Sequence, residues 1–246
     1  MKNYINKDTY NLYAKTNESL INKEVKGLVV EFPGLGGGSC LGGTMDMGVY
    51  DGDFAKMCAD EGIILAYIFP GPWSWMNKGA VKITDAIVDA IREKYNLDPD
   101  APIGLSGGSM GGLGAMIYSL ETKNKISAVG AACPCCDVLD RFNCKQTFPR
   151  TFISAVACYE DMSMEDALKS ISPMHRINDF KDVSYFITNS CEDEVFPEEL
   201  LDSFVQKLLE KGHKVEYRKM PGQKHGEFIP EIKDEFYKFV IDSLLK

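Results

Sequence analysis

Short apolar runs alternate along the chain with longer stretches in which apolar residues recur every third or fourth position. The run Ile63-Ile64-Leu65-Ala66-Tyr67-Ile68-Phe69, bounded by Gly62 and Pro70, is apolar almost throughout. That pattern predicts a strand covered on both faces, as in a parallel sheet. Residues 9–15, 20–32, 102–106, 126–132, 183–189 and 214–220 are further strand candidates, the second ending in Lys26-Gly27-Leu28-Val29-Val30-Glu31-Phe32.

Helical periodicity lies between these runs. Ile83, Ile87, Ile91 and Tyr95 form one stripe, with Asn77 or Thr84 available near its start. Leu201, Phe204, Val205 and Leu208 form a second stripe ending at Gly212, and Ile232, Phe236, Phe239 and Val240 a third. Residues 53–61 and 110–120 are also helix candidates, and all these stripes read as core packing. The segment 133–180 is irregular, carries Pro134, Pro149 and Pro173, and includes short helical stretches such as Glu165 to Lys169. It is too long for a turn and too short for a domain, so it reads as a small insertion or lid within a single domain spanning 1–246. The alternation as a whole predicts the α/β class: an open, mostly parallel central sheet with helices on both faces. Ligands in such folds bind beyond the C-terminal ends of the strands, so the loops there hold the candidate chemistry.

Composition narrows the function. The 246 residues, 45% hydrophobic and 26% charged, suit one large globular domain. A formal charge of −9 disfavours nucleic acid and anionic membrane surfaces as partners. No apolar stretch of signal-peptide or membrane-span length follows Met1, and the expected location is cytoplasmic. Most of the eight cysteines sit in apolar runs, where a free thiol behaves as a small hydrophobe. The cluster Cys133-Pro134-Cys135-Cys136 lacks the second ligand pair of a structural zinc site. Neither a metal nor another cofactor is expected.

The strongest chemical signal is Ile103-Gly104-Leu105-Ser106-Gly107-Gly108-Ser109-Met110-Gly111-Gly112. It holds Gly107-x-Ser109-x-Gly111 between a predicted strand and a predicted helix, the arrangement of a nucleophile elbow. Small residues must flank the serine in so sharp a turn, and the helix N-terminus favours developing negative charge. An overlapping match, Gly104-x-Ser106-x-Gly108, would end the strand after three or four residues and load the first helical turn with glycine. Phosphate-binding loops fit poorly. No Lys follows these glycines, and Gly34-Leu35-Gly36-Gly37-Gly38-Ser39 lacks the dinucleotide spacing.

With these motifs in place the chain resembles, over nearly its whole length, the α/β-hydrolase superfamily. The closest likeness is to small esterases and to dienelactone-hydrolase-like and prolyl-oligopeptidase-like catalytic domains. The resemblance implies a triad in the order Ser, acid, His. The acid should follow the strand ending at Ser190, where Cys191-Glu192-Asp193-Glu194-Val195-Phe196-Pro197 resembles the family's Asp-x-Val-x-Pro and Asp193 fits. Glu192 and Glu194 are its rivals. The histidine should lie after the last strand, in Pro221-Gly222-Gln223-Lys224-His225-Gly226. Of the other two histidines, His213 opens that strand at the opposite end of the sheet, and His175 lies in the irregular segment. The resemblance also implies an oxyanion hole from the N–H groups of Met110 and Leu35, with Pro33 replacing the family's usual His. The loop Pro70-Gly71-Pro72-Trp73-Ser74-Trp75-Met76 holds both tryptophans, which either line a substrate pocket or pack the loop.

The leading expectation is a serine esterase acting on a small or medium ester through an acyl-enzyme on Ser109, with His225 as general base and Asp193 orienting it. A prolyl-oligopeptidase-type peptidase is the alternative, although such enzymes usually carry a β-propeller, for which 246 residues leave no room. An acyltransferase or thioesterase would use the same residues. A non-catalytic binding module is disfavoured because all three triad positions are filled.

Overall fold

Leu28, Val30 and Phe32 turn to one face of their strand and join one apolar cluster, while Val29 turns to the other face and joins a second. This period-two alternation, apolar on both sides, is the signature of a central strand buried in a helix-covered sheet. In the computed structural model, which describes residues 4–36, 50–144 and 149–246, seven strands form one sheet. They are β1 (Ala14–Thr16), β2 (Gly27–Phe32), β3 (Ile63–Ile68), β4 (Ile103–Gly108), β5 (Ile126–Ala132), β6 (Ser184–Ser190) and β7 (Lys214–Met220). Their spatial order is β1-β3-β2-β4-β5-β6-β7. All neighbours pair in parallel except β1, which runs antiparallel to β3.

The helices are α1 (Asp53–Asp60), α2 (Lys78–Tyr95), α3 (Met110–Glu121), α4 (Val138–Asn143), α5 (Pro149–Val156), α6 (Met164–Ser170), α7 (Glu198–Glu210) and α8 (Pro230–Asp242). The stripes of α2, α3 and α7 pack into the larger cluster, and α1 and α8 cover the opposite face through Phe54, Cys58, Val240 and Ile241. Asn77 caps α2, its side chain accepting the N–H groups of Gly79 and Ala80, each at 3.0 Å. This is an α/β-hydrolase fold, and no described helix is long and apolar enough to cross a membrane.

Two expected strands are shorter than the pattern predicts. Within 9–15, Tyr10–Leu12 is a 3-10 turn, and within 20–32 the strand begins only at Gly27. Tyr10 explains the first difference: its buried ring turns inward and its hydroxyl donates to Glu18 at 3.0 Å. Asn17, which directly follows β1, has a fully buried amide that donates to the Ala55 and Ile63 carbonyls and accepts the Leu65 N–H, so a side chain takes the place of continued β1–β3 pairing.

The stretch between β5 and β6 carries α4, α5, α6 and a 3-10 segment, Pro173–Asp179. It is latched to the loop before α2. Trp75 Nε1 donates to Thr151 Oγ1 at 3.0 Å, its ring lies 4.3 Å from that of Phe152, and Asn77 Nδ2 donates to the Ala155 carbonyl at 2.8 Å.

Candidate active site

The elbow joins the central strand β4 to α3 through a single residue. Ser109 takes φ 58° and ψ −123°, a conformation that non-glycine residues adopt only where their surroundings impose it. Its N–H is held by the Ala132 carbonyl at the end of β5, at 2.8 Å. The turn is so tight that a Cβ on Gly107 would stand 2.4 Å from the Gly111 carbonyl oxygen. Ser106, by contrast, lies within β4 with its neighbours in register on β2 and β5, and it is buried. Of the two overlapping serine motifs, only Ser109 sits at the turn.

His225 and Asp193 reach the same point from the C-terminal ends of β7 and β6. His225 Nε2 lies 2.9 Å from Ser109 Oγ, and His225 Nδ1 lies 2.7 Å from Asp193 Oδ2. The Asp193 side chain is 1% exposed, so its contact with the imidazole is shielded from water. Its other oxygen, Oδ1, accepts the N–H groups of Val195 at 2.7 Å and Phe196 at 2.9 Å, which leaves Oδ2 for the histidine. The acid and histidine loops are tied by Cys191 N–H to the Met220 carbonyl at 3.1 Å and Glu192 N–H to the Gln223 carbonyl at 3.0 Å. The Phe196 ring meets the imidazole edge-on at 5.2 Å. Glu192 and Glu194 are exposed. His213 packs edge-on against Phe180 and Tyr185 below β7, and His175 bonds Ser172 Oγ at 3.0 Å, so neither joins the cluster.

The loop after β2 runs alongside the elbow: a Cβ on Gly34 would lie 3.9 Å from Ser109 Cβ. Leu35 follows in a turn, while Gly37 and Gly38 of the same loop lie outside the described residues. Met110 opens α3, and as first residue of the helix its N–H has no acceptor within it.

The two tryptophans part company. Trp73 is 39% exposed on the face beyond the strand ends, whereas Trp75 is 1% exposed and packs against α5. Of the two readings of this loop, Trp75 takes the packing one: its indole lies against Phe152 and donates to Thr151.

Cys133, Cys135 and Cys136 are all buried, and burial pushes the Cys135 thiol up strongly and that of Cys136 up to about 12. Among the described residues no group of three or more His, Cys, Asp or Glu side chains could hold a metal ion. Sequence reasoning missed the contacts of Cys133 and Ser190 beneath the site, because Ser190 reads as an ordinary strand end and Cys133 as one member of a cysteine cluster that opens the irregular segment.

The fold and this cluster define a serine hydrolase of the α/β-hydrolase superfamily. Residues 73–245 match the prolyl oligopeptidase family, and the chain belongs to it. No curated protein matches the sequence. Among solved structures, the chain is similar to a truncated carbohydrate esterase from gut microbiota, with a TM-score of 0.69 and 16% identity over 91% of this chain and 87% of that one. It is similar to esterase B from Lactobacillus rhamnosis, with a TM-score of 0.67 and 12% identity over 91% and 78% of the two chains. It is also similar to the acylaminoacyl peptidase of Pyrococcus horikoshii, with a TM-score of 0.66 and 17% identity, covering 91% of this chain but 37% of the peptidase. At these identities the likeness speaks for the fold.

Proposed function

We propose that the protein hydrolyses a carboxylic ester of a small or medium substrate through an acyl-enzyme on Ser109. The observation that carries this reading is the line from Ser109 Oγ through both nitrogens of His225 to Asp193, at 2.9 and 2.7 Å. In the proposed reaction Ser109 Oγ attacks the ester carbonyl as its proton passes to His225 Nε2. The resulting oxyanion is held by the N–H groups of Met110 and Leu35. The tetrahedral intermediate then expels the alcohol, which leaves with the proton from His225. Water, deprotonated by the same imidazole, attacks the acyl-enzyme and releases the carboxylic acid. Asp193 keeps Nδ1 protonated, so that Nε2 presents its lone pair to the serine.

An ester is favoured because the fold overlays most of the length of the carbohydrate esterase and of esterase B. The second reading, a peptidase, draws on the family match itself. The test is a panel of p-nitrophenyl esters of increasing acyl length beside aminoacyl p-nitroanilides, combined with fluorophosphonate labelling. The expected result is turnover of short and medium esters at least 100-fold above the anilides in kcat/KM, with one probe on Ser109. Ser109→Ala should abolish labelling and lower kcat by about 10⁴–10⁶-fold. Anilides as the better substrates would overturn the ester assignment. An adduct on Ser106 would overturn the nucleophile.

A further inference from the structure

Ser190 ends β6 and is fully buried beneath the loops that carry Asp193 and His225. Three contacts converge on it. Its Oγ donates to the carbonyl of Glu227, two residues beyond His225, at 3.3 Å. Its carbonyl accepts the N–H of Asp193 at 3.1 Å. Its Oγ also lies 3.1 Å from Cys133 Sγ. A hydroxyl has one proton and a carbonyl can only accept. With the Ser190 proton committed to Glu227, the thiol of Cys133 is the donor to Ser190.

Cys133 is itself held in place. It takes φ 43°, and its N–H donates to the Thr188 carbonyl at 3.0 Å. It directly follows Ala132, whose carbonyl holds the Ser109 N–H at 2.8 Å. One continuous path therefore runs from the elbow through Ala132 and Cys133 to Ser190, and there divides to the acid turn and the histidine turn. The histidine turn is closed on itself by Glu227 N–H to the Lys224 carbonyl at 3.0 Å and Lys224 N–H to Glu227 Oε2 at 2.8 Å. Holding Glu227 thus holds His225 between them.

We propose that Ser190 is a positioning residue for this reaction, and that the Cys133–Ser190–Glu227 relay sets the place of the His225 imidazole relative to Ser109. The proposal rests on the triad reading above. A displacement of about 1 Å at a reacting group costs on the order of 10²-fold in rate, so loss of one buried anchor is expected to act on kcat rather than on binding.

The experiment uses the p-nitrophenyl ester best turned over by the parent chain. Ser190→Ala should lower kcat about 10-fold with KM within about twofold, and the rate of fluorophosphonate labelling should fall in parallel. Ser190→Cys, which keeps a donor, should recover part of the loss, and Cys133→Ser should exceed Cys133→Ala in kcat. A purely structural role would lower the melting temperature without this split between kcat and KM. A folded Ser190→Ala variant that keeps kcat within twofold of the parent overturns the proposal. Should that variant fail to fold, equal kcat for Cys133→Ala and Cys133→Ser overturns it instead. Ser109→Ala is run in parallel. If it still turns over ester, the triad reading fails and the relay falls with it; if it is dead while Ser190→Ala is fully active, the relay alone fails.

Discussion

Gly111 backs directly onto the carbonyl of Phe32: a Cβ on Gly111 would stand 2.1 Å from that oxygen. The first turn of α3 is thereby pressed against the end of β2, and the elbow that joins β4 to α3 has no room to relax. The glycine at this position answers to backbone, which cannot move aside as a flexible side chain would. On the other side of the serine, Gly34 has only ordinary contact distances around its missing Cβ, the nearest being 3.8 Å to the Gly108 carbonyl.

These two glycines should therefore respond differently to the same substitution. Gly111→Ala is expected to destabilise the protein by about 1–3 kcal/mol or more, the range for overpacking a site that cannot yield, and to remove activity. Gly34→Ala should fold with a melting temperature close to that of the parent. Thermal unfolding followed by circular dichroism checks both, and equal melting temperatures for the two variants would contradict the packing described.

Asp193 should separate cleanly from its acidic neighbours. Asp193→Asn is expected to cost about 10³–10⁴-fold in kcat/KM, because an amide can hold the imidazole in the wrong tautomer. Glu192→Gln and Glu194→Gln should change it less than twofold, since exposed carboxylates are screened from the site by solvent and salt. Because the base must be neutral to accept the serine proton, kcat/KM of the parent should fall on the acid side of its pH profile. A large loss in either Gln variant, with Asp193→Asn still active, would move the acid by one residue.

The tryptophans offer a test of surface against core. Trp75→Ala should lower stability by about 3–5 kcal/mol, as for other buried aromatic truncations. Trp73→Ala should leave the melting temperature within a few degrees and instead change KM across the acyl series. Thr151→Val, which removes the partner of the Trp75 indole, should cost about 1–3 kcal/mol. If Trp73→Ala unfolds the protein while Trp75→Ala does not, the assignment of the two rings is reversed.

Glu31 should make stability depend on pH. Burial pushes its carboxyl above the ordinary carboxylate range, and the hydrogen bond from Tyr50 offsets only part of that rise. A group whose value is raised on folding contributes its stability at low pH and loses it as pH climbs through the folded-state value. Glu31→Gln removes that loss. Its melting temperature relative to the parent should therefore increase from about pH 5 to about pH 8, with the two curves closest at the acid end. A difference that shrinks over this interval would show that the carboxylate is stabilised, not penalised, in the folded state.

Much of this molecule is legible in its sequence. The strand at 63–69 is marked by its apolar run between Gly62 and Pro70, and the structure has Ile63–Ile68; the strands expected at 126–132 and 214–220 are Ile126–Ala132 and Lys214–Met220. The elbow is legible because a strand-to-helix turn this tight admits so few residue types that its glycines are a local requirement. The N-terminal segments were less legible. Tyr10 lies within an expected strand, but its buried ring, with the hydroxyl bonded to Glu18 and 3.3 Å from that of Tyr95, overrides local preference.

What the sequence determined by itself is therefore whatever depends on neighbours in the chain: the alternation of strands and helices, the glycine pattern of the elbow, and the residue types available for acyl chemistry. What tertiary structure decided is whatever depends on distance across the chain. Three carboxylates stand in a row at 192–194, and nothing local separates them. The middle one turns inward because its Oδ1 is satisfied by the N–H groups of Val195 and Phe196, while the loop from β7 brings His225 within 2.7 Å of its Oδ2. Trp73 and Trp75 are likewise two positions apart and nearly alike in sequence, and only the arrival of α5 against one ring makes it core and leaves the other in solvent. Burial and hydrogen-bond satisfaction are properties of the assembled surroundings, and at these residues the surroundings come from segments far away in the chain.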